Sequence, residues 1–107
     1  MLARQPFSPQ VAGTTPLVTF DFTADLAAGE TILSQTVACR VYSGIDTNAS
    51  SIVAASPSAS GSIVTEQLNL NTAGVVGVLY ELSCRIVTSL SQALTKTGYL
   101  ALVPDLP

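Results

Sequence analysis

The chain has 107 residues, with seven acidic residues against four basic ones, no histidine, 10% charged residues and a mean hydropathy of +0.49. That length makes one domain, with room for a core that needs neither metal nor disulfide. Four scattered bases give no footprint for phosphates or anionic lipid, which excludes a nucleic-acid binder and a polybasic membrane anchor, and the scarce charge implies a surface partly covered by other protein or solvated by its many Ser and Thr.

Residues 1–16 hold Pro6, Pro9, Gly13 and Pro16 without periodicity. They read as an extended N-terminal arm, with Arg4, Phe7 and Val11 as candidate partner contacts. A disordered terminus is the alternative.

Leu17 to Thr23 alternates, with Val18, Phe20 and Phe22 on one face, as in a half-buried strand. Asp25 to Glu30 is a turn, in which Leu26 is expected to plug the end of the fold. Thr31 to Tyr42 is a second strand, with Leu33, Val37, Cys39 and Val41 on one parity and Ile32 as an exception on the other. Residues 45–61 are small and polar around Ile52 to Ala55, which reads as one short strand closed by Pro57.

Ser62 to Leu70 alternates again. Val64, Leu68 and Leu70 are expected to face in, and Glu66 shares their parity. After a turn at Asn71–Gly74, Val75–Thr88 and Ala93–Val103 form a hairpin. Tyr80, Leu82, Cys84 and Ile86 stand on one face of its first strand. Tyr80 is a core tyrosine with its hydroxyl at the sheet edge, or a loose version of a corner tyrosine.

About six to seven strands separated by turn signals predict an all-β fold, an immunoglobulin-like antiparallel β-sandwich over residues 17–104, with a short tail at 105–107. Its predicted core includes Phe20, Phe22, Val37, Cys39, Tyr80, Leu82, Cys84 and Ile86. Cys39 and Cys84 fall on the second and the penultimate strand, where antibody domains place their inter-sheet bridge. In a reducing compartment the same pair reads as two buried thiols.

Catalytic patterns are missing. Without histidine there is no Ser-His or Cys-His arrangement, and two cysteines are too few for a structural zinc site. Asp21, Asp25 and Glu30 are close in sequence, but carboxylates bracketing a turn cap backbone donors. Asp46-Thr47-Asn48-Ala49-Ser50 opens like a calcium loop, yet Ser51 and Pro57 stand where that loop needs glycine and glutamate. Asn48-Ala49-Ser50 fits the glycosylation pattern, which carries weight only with a secretory signal, and the first ten residues have no apolar core for one. The reading is no enzyme and no cofactor. No apolar stretch reaches the roughly 20 residues of a membrane span.

The series Asp25-Leu26-Ala27-Ala28-Gly29-Glu30-Thr31-Ile32, Gly44-Ile45-Asp46, Ala73-Gly74, Gly77-Val78-Leu79-Tyr80-Glu81-Leu82 and Cys84-Arg85-Ile86-Val87-Thr88-Ser89 resembles the small immunoglobulin-like virion proteins of tailed bacteriophages, including fibre-tail adaptors. The resemblance covers residues 17–103. It implies a virion structural protein without catalysis, an adaptor of the tail or neck that attaches fibres or connects virion components. Its partners would be other virion proteins (tail, neck or fibre components), in several copies around a symmetric assembly built in the host cytoplasm. Capsid decoration and an extracellular immunoglobulin-like binding module are the alternatives.

Overall fold

The computed structural model describes residues 5–6, 10–11, 13–53 and 56–103, with backbone alone at 5, 6 and 11. Among these described residues eight strands follow in chain order: β1 (Gln5–Pro6), β2 (Gln10–Val11), β3 (Leu17–Asp21), β4 (Ile32–Ser43), β5 (Ser58–Ser60), β6 (Ile63–Gln67), β7 (Leu79–Thr88) and β8 (Ala93–Val103). They form a β-sandwich. The larger sheet runs β1-β8-β7-β4, with β2 also on β8, and the smaller runs β3-β6-β5.

The long strands pair antiparallel, while β1 and β2 lie parallel to β8. Gln5 is opposite Gly98 and Gln10 opposite Leu102, so at both of these strands the chain lies along the β8 edge. It then joins the small-sheet side: Pro16 accepts from the Leu68 N–H, and Thr14 accepts from that of Leu70.

Alternation builds the core. On β7, Tyr80, Leu82, Cys84, Ile86 and Thr88 all point inward and are buried. Facing them are Val18, Phe20 and Phe22 from β3 and its continuation, and Val64, Leu68 and Leu70 from β6 and beyond. Val37 is half-buried and packs against this cluster, as does Leu26 at the sandwich end. Burial of each such large side chain contributes about 1.5–3 kcal/mol.

Four local expectations are corrected. On β4 the pairing jumps from Ile32/Thr88 to Ser34/Val87, and this bulge at Leu33 reverses the parity. Ile32 therefore packs on the core and Leu33 is exposed. The strand expected at Ile52–Ala55 is replaced by a 3₁₀ turn over Ala49–Ile52 and a single bridge from Val53 to Leu68, and β5 follows Pro57 rather than preceding it. Residues 54 and 55 lie outside the described residues. The β7 strand begins at Leu79, because Val75–Val78 closes a turn with Gly77 at positive φ.

The fourth concerns the cysteines. Cys39 and Cys84 are on neighbouring strands of one sheet, Cys39 opposite Leu82 and Cys84 opposite Val37, so they do not face each other across the sandwich. The edge strands β1 and β2 precede β3, which makes β4 the fourth strand of the fold and not the second, as in a count starting at Leu17. Both thiols are free and buried, and burial pushes each up to about 12. Alkylation of the folded protein at pH 8 is therefore expected to be slow. Intact mass should shift by two labels only after denaturant is added. Rapid double labelling without denaturant would contradict this packing.

Candidate assembly surfaces

The ends of β7 organise the two ends of the sandwich. At its start the Tyr80 ring is fully buried, and its hydroxyl donates to Asp46 Oδ2 at 2.6 Å and accepts from the Val75 N–H at 2.6 Å. Burial, then the bond to Asp46, pushes this phenol up to about 12, so it stays a neutral donor. Asp46 Oδ1 takes the Asn48 N–H at 2.9 Å, the closed Asx turn expected of an Asp two residues before its donor. The bond to the backbone five residues upstream is the tie of a corner tyrosine, made by a residue that is also a core anchor.

This clamp fixes two loops. Gly44 and Gly74 hold them at φ +107° and +96°, and a Cβ at Gly74 would stand 2.9 Å from Leu102 Cδ2. The loops display Ile45, 85% exposed, with Val75 and Val76 about half exposed. Beside them the Tyr42 and Tyr99 rings meet at 4.5 Å.

At the other end, Thr88 is buried and its hydroxyl donates to Glu30 Oε2 while accepting the N–H groups of Leu90 and Gln92 at 3.3 Å. Glu30 Oε1 accepts the Ala27 N–H at 2.8 Å. Ser89 and Thr31 exchange two more bonds, stitching the two turns together. Lys96 sits 5.5 Å from the Phe22 ring centroid, binds Asp25 Oδ2 at 3.0 Å, and donates to the Asp21 carbonyl. Leu33 and Leu90 are exposed at this end.

The outer face of the larger sheet carries Arg40 paired to the buried Glu81. Of the candidate arm contacts, Arg4 and Phe7 lie outside the described residues, and Val11 is placed by its backbone on β2. Of the residues that hold the loops, Glu30 caps a backbone donor of its own turn, as its place there predicts, and Asp46 carries a local signal in its spacing to Asn48. Thr88 gives no pattern of its own in the sequence. Among the described residues no group of three or more acidic or sulfur ligands gathers for a metal, and no helix is long and apolar enough to cross a membrane.

The chain is thus a charge-poor β-sandwich whose two ends are tied to one central strand, with apolar loop tips and polar groups that fix the turns. Residues 12–101 match the family model described as podophage GP4 fiber-tail adaptor protein gp77. The chain belongs to that family of bacteriophage fibre-tail adaptor proteins. No curated protein and no solved structure matched it.

Proposed function

We propose that this chain is a non-enzymatic virion adaptor that joins tail, neck or fibre components in several copies around a symmetric particle. The family match over residues 12–101 carries this reading. Low charge supports it, as do the rigidly held apolar tips at Ile45, Val75 and Val76, which suit contact with other protein. The sandwich itself we read as immunoglobulin-like. The β3-β6-β5 and β8-β7-β4 neighbours have the adjacency of that fold's two sheets, with β1 and β2 added beside β8.

Strand addition at the β8 edge is a geometry that the N-terminal segment can make within its own chain or towards a neighbouring copy. On this reading Arg4, Phe7 and Val11 contact the partner. Deleting residues 1–11 is expected to leave a cooperative denaturant transition and to abolish incorporation into particles, scored by mass spectrometry of purified virions. Normal incorporation of the truncated chain would remove the arm from the interface. Cryo-electron microscopy of the native particle tests the adaptor role itself. Density at the tail or neck is expected, density on the capsid shell would make the chain a decoration protein, and absence from the particle would overturn the virion reading.

A further inference from the structure

Glu66 lies on β6 between Val64 and Leu68 and opposite Val18 of β3, and its side chain enters the space between the sheets with 1% of its surface exposed. Neither carboxyl oxygen has a hydrogen-bond partner among the described residues. The other two glutamates of the described chain are provided for: Glu30 by Ala27 and Thr88, Glu81 by Arg40.

The surrounding elements offer Glu66 no counter-charge. On β7, Cys84 faces the core, and Glu66 is the charge that acts on its thiol, while Glu81 and Arg85 are on the opposite parity. Lys96 of β8 is engaged by Asp25 and the Asp21 carbonyl, and Asp21 at the end of β3 is exposed. On β4, Cys39 is a buried thiol and Arg40 is bound to Glu81. No residue of β5 titrates. A carboxylate in such surroundings has lost its hydration without replacement.

We propose that Glu66 is a proton-controlled weak point of the sandwich: the two sheets close fully around the neutral carboxyl, and its ionisation loosens β6 from β7. Burial raises the Glu66 carboxyl above the usual carboxylate range, opposed weakly by the nearby Gln67 N–H, which does not close a hydrogen bond to it. A group raised on folding stabilises below its unfolded value, and that stabilisation is lost as pH rises through the folded one. Stability therefore falls from the ordinary carboxylate range upward. Asp21 has the opposite sign: the Thr23 hydroxyl and N–H lower it, so its contribution is lost only at the acid extreme. A partner that binds only the closed sandwich would draw the equilibrium back by mass action. The free subunit is then looser than the bound one wherever the carboxyl is ionised.

The chain is well suited to the test, because it has no histidine and so, apart from its α-amino group, nothing ordinary titrates between pH 5 and 8. Urea unfolding of the full chain at pH 5, 6, 7 and 8 is expected to show the wild-type unfolding constant rising by up to about tenfold per pH unit over part of that range. Glu66→Gln and Glu66→Met should be flat. Amide exchange along β6, divided by the intrinsic exchange rate, should speed up with pH in the wild type and stay level in Glu66→Gln. Parallel pH profiles, or equal exchange protection of β6 in the two proteins, would overturn the proposal. Should neither Glu66 variant fold, the wild-type slope decides alone, since a flat profile from pH 5 to 8 leaves no proton to account for.

Discussion

Replacing Tyr80 with alanine is expected to destabilise the domain by roughly 3–5 kcal/mol, the cost of removing a fully buried aromatic ring. Tyr80→Phe separates the two roles of this side chain. It keeps the ring and removes the hydroxyl, leaving the Val75 N–H and Asp46 Oδ2 without their shared partner. That loss costs about 1–3 kcal/mol. Urea melts of both variants, read at constant slope, give the two contributions. A Tyr80→Ala loss below about 1 kcal/mol would mean that this face of β7 is not the core. The Tyr80→Phe variant should also free the Ile45 and Val75 loops, seen as faster amide exchange there with the rest of β7 unchanged. The variant thus weakens the apolar tips by disordering them rather than by altering their chemistry.

Thr88→Val is expected to cost about 2–3 kcal/mol, and Thr88→Ser much less. Valine fits the same volume but cannot donate to the buried Glu30 carboxylate, and a lost hydrogen bond to a charged group costs about 1.5–3 kcal/mol. It also leaves the Leu90 and Gln92 N–H groups of the hairpin turn without their acceptor. For a domain of this size each kcal/mol corresponds to roughly 4–8 °C in melting temperature, so calorimetry suffices to resolve the two variants. Equal melting temperatures for Thr88→Val and wild type would show that Glu30 is solvated and that the Asp25–Glu30 turn is held by its backbone alone.

The parts of the fold readable in the sequence are those where period-two alternation meets burial on one side. Tyr80, Leu82, Cys84 and Ile86 are such a series, and Val18, Phe20 and Phe22 another. Alternation fails where a strand slips by one residue. At Leu33 a bulge turns an apolar side chain to solvent and brings Ile32 inward, and no residue type in that stretch marks the slip. The 45–61 segment was harder still, because its short apolar run, Ile52 to Ala55, suits a strand and a 3₁₀ turn equally. Strand neighbours are not local information either. Whether Cys39 faces Cys84 across the sandwich depends on which strands pair, and only the β4–β7 register reveals that they share a sheet. Glu66 is the converse case. Its parity with Val64 and Leu68 places it inward, at a position that carboxylates rarely occupy without a partner. The long-range ties of the loop-holding residues are not legible locally, since Asp46–Tyr80 and Glu30–Thr88 join positions 34 and 58 residues apart.

The central position of β7 has a mechanical consequence. Its first residues tie down the loops of one end, its last residue anchors the turns of the other, and β4 and β8 flank it along its length. A pull between the two ends loads this strand along its own axis, against antiparallel ladders on both sides. The ladder bonds then bear the force together, in shear, instead of parting one at a time as in a peeled hairpin. A joint whose opposite ends were gripped by different components would thus transmit tension through a single stiff rod, with the smaller sheet serving as its sheath.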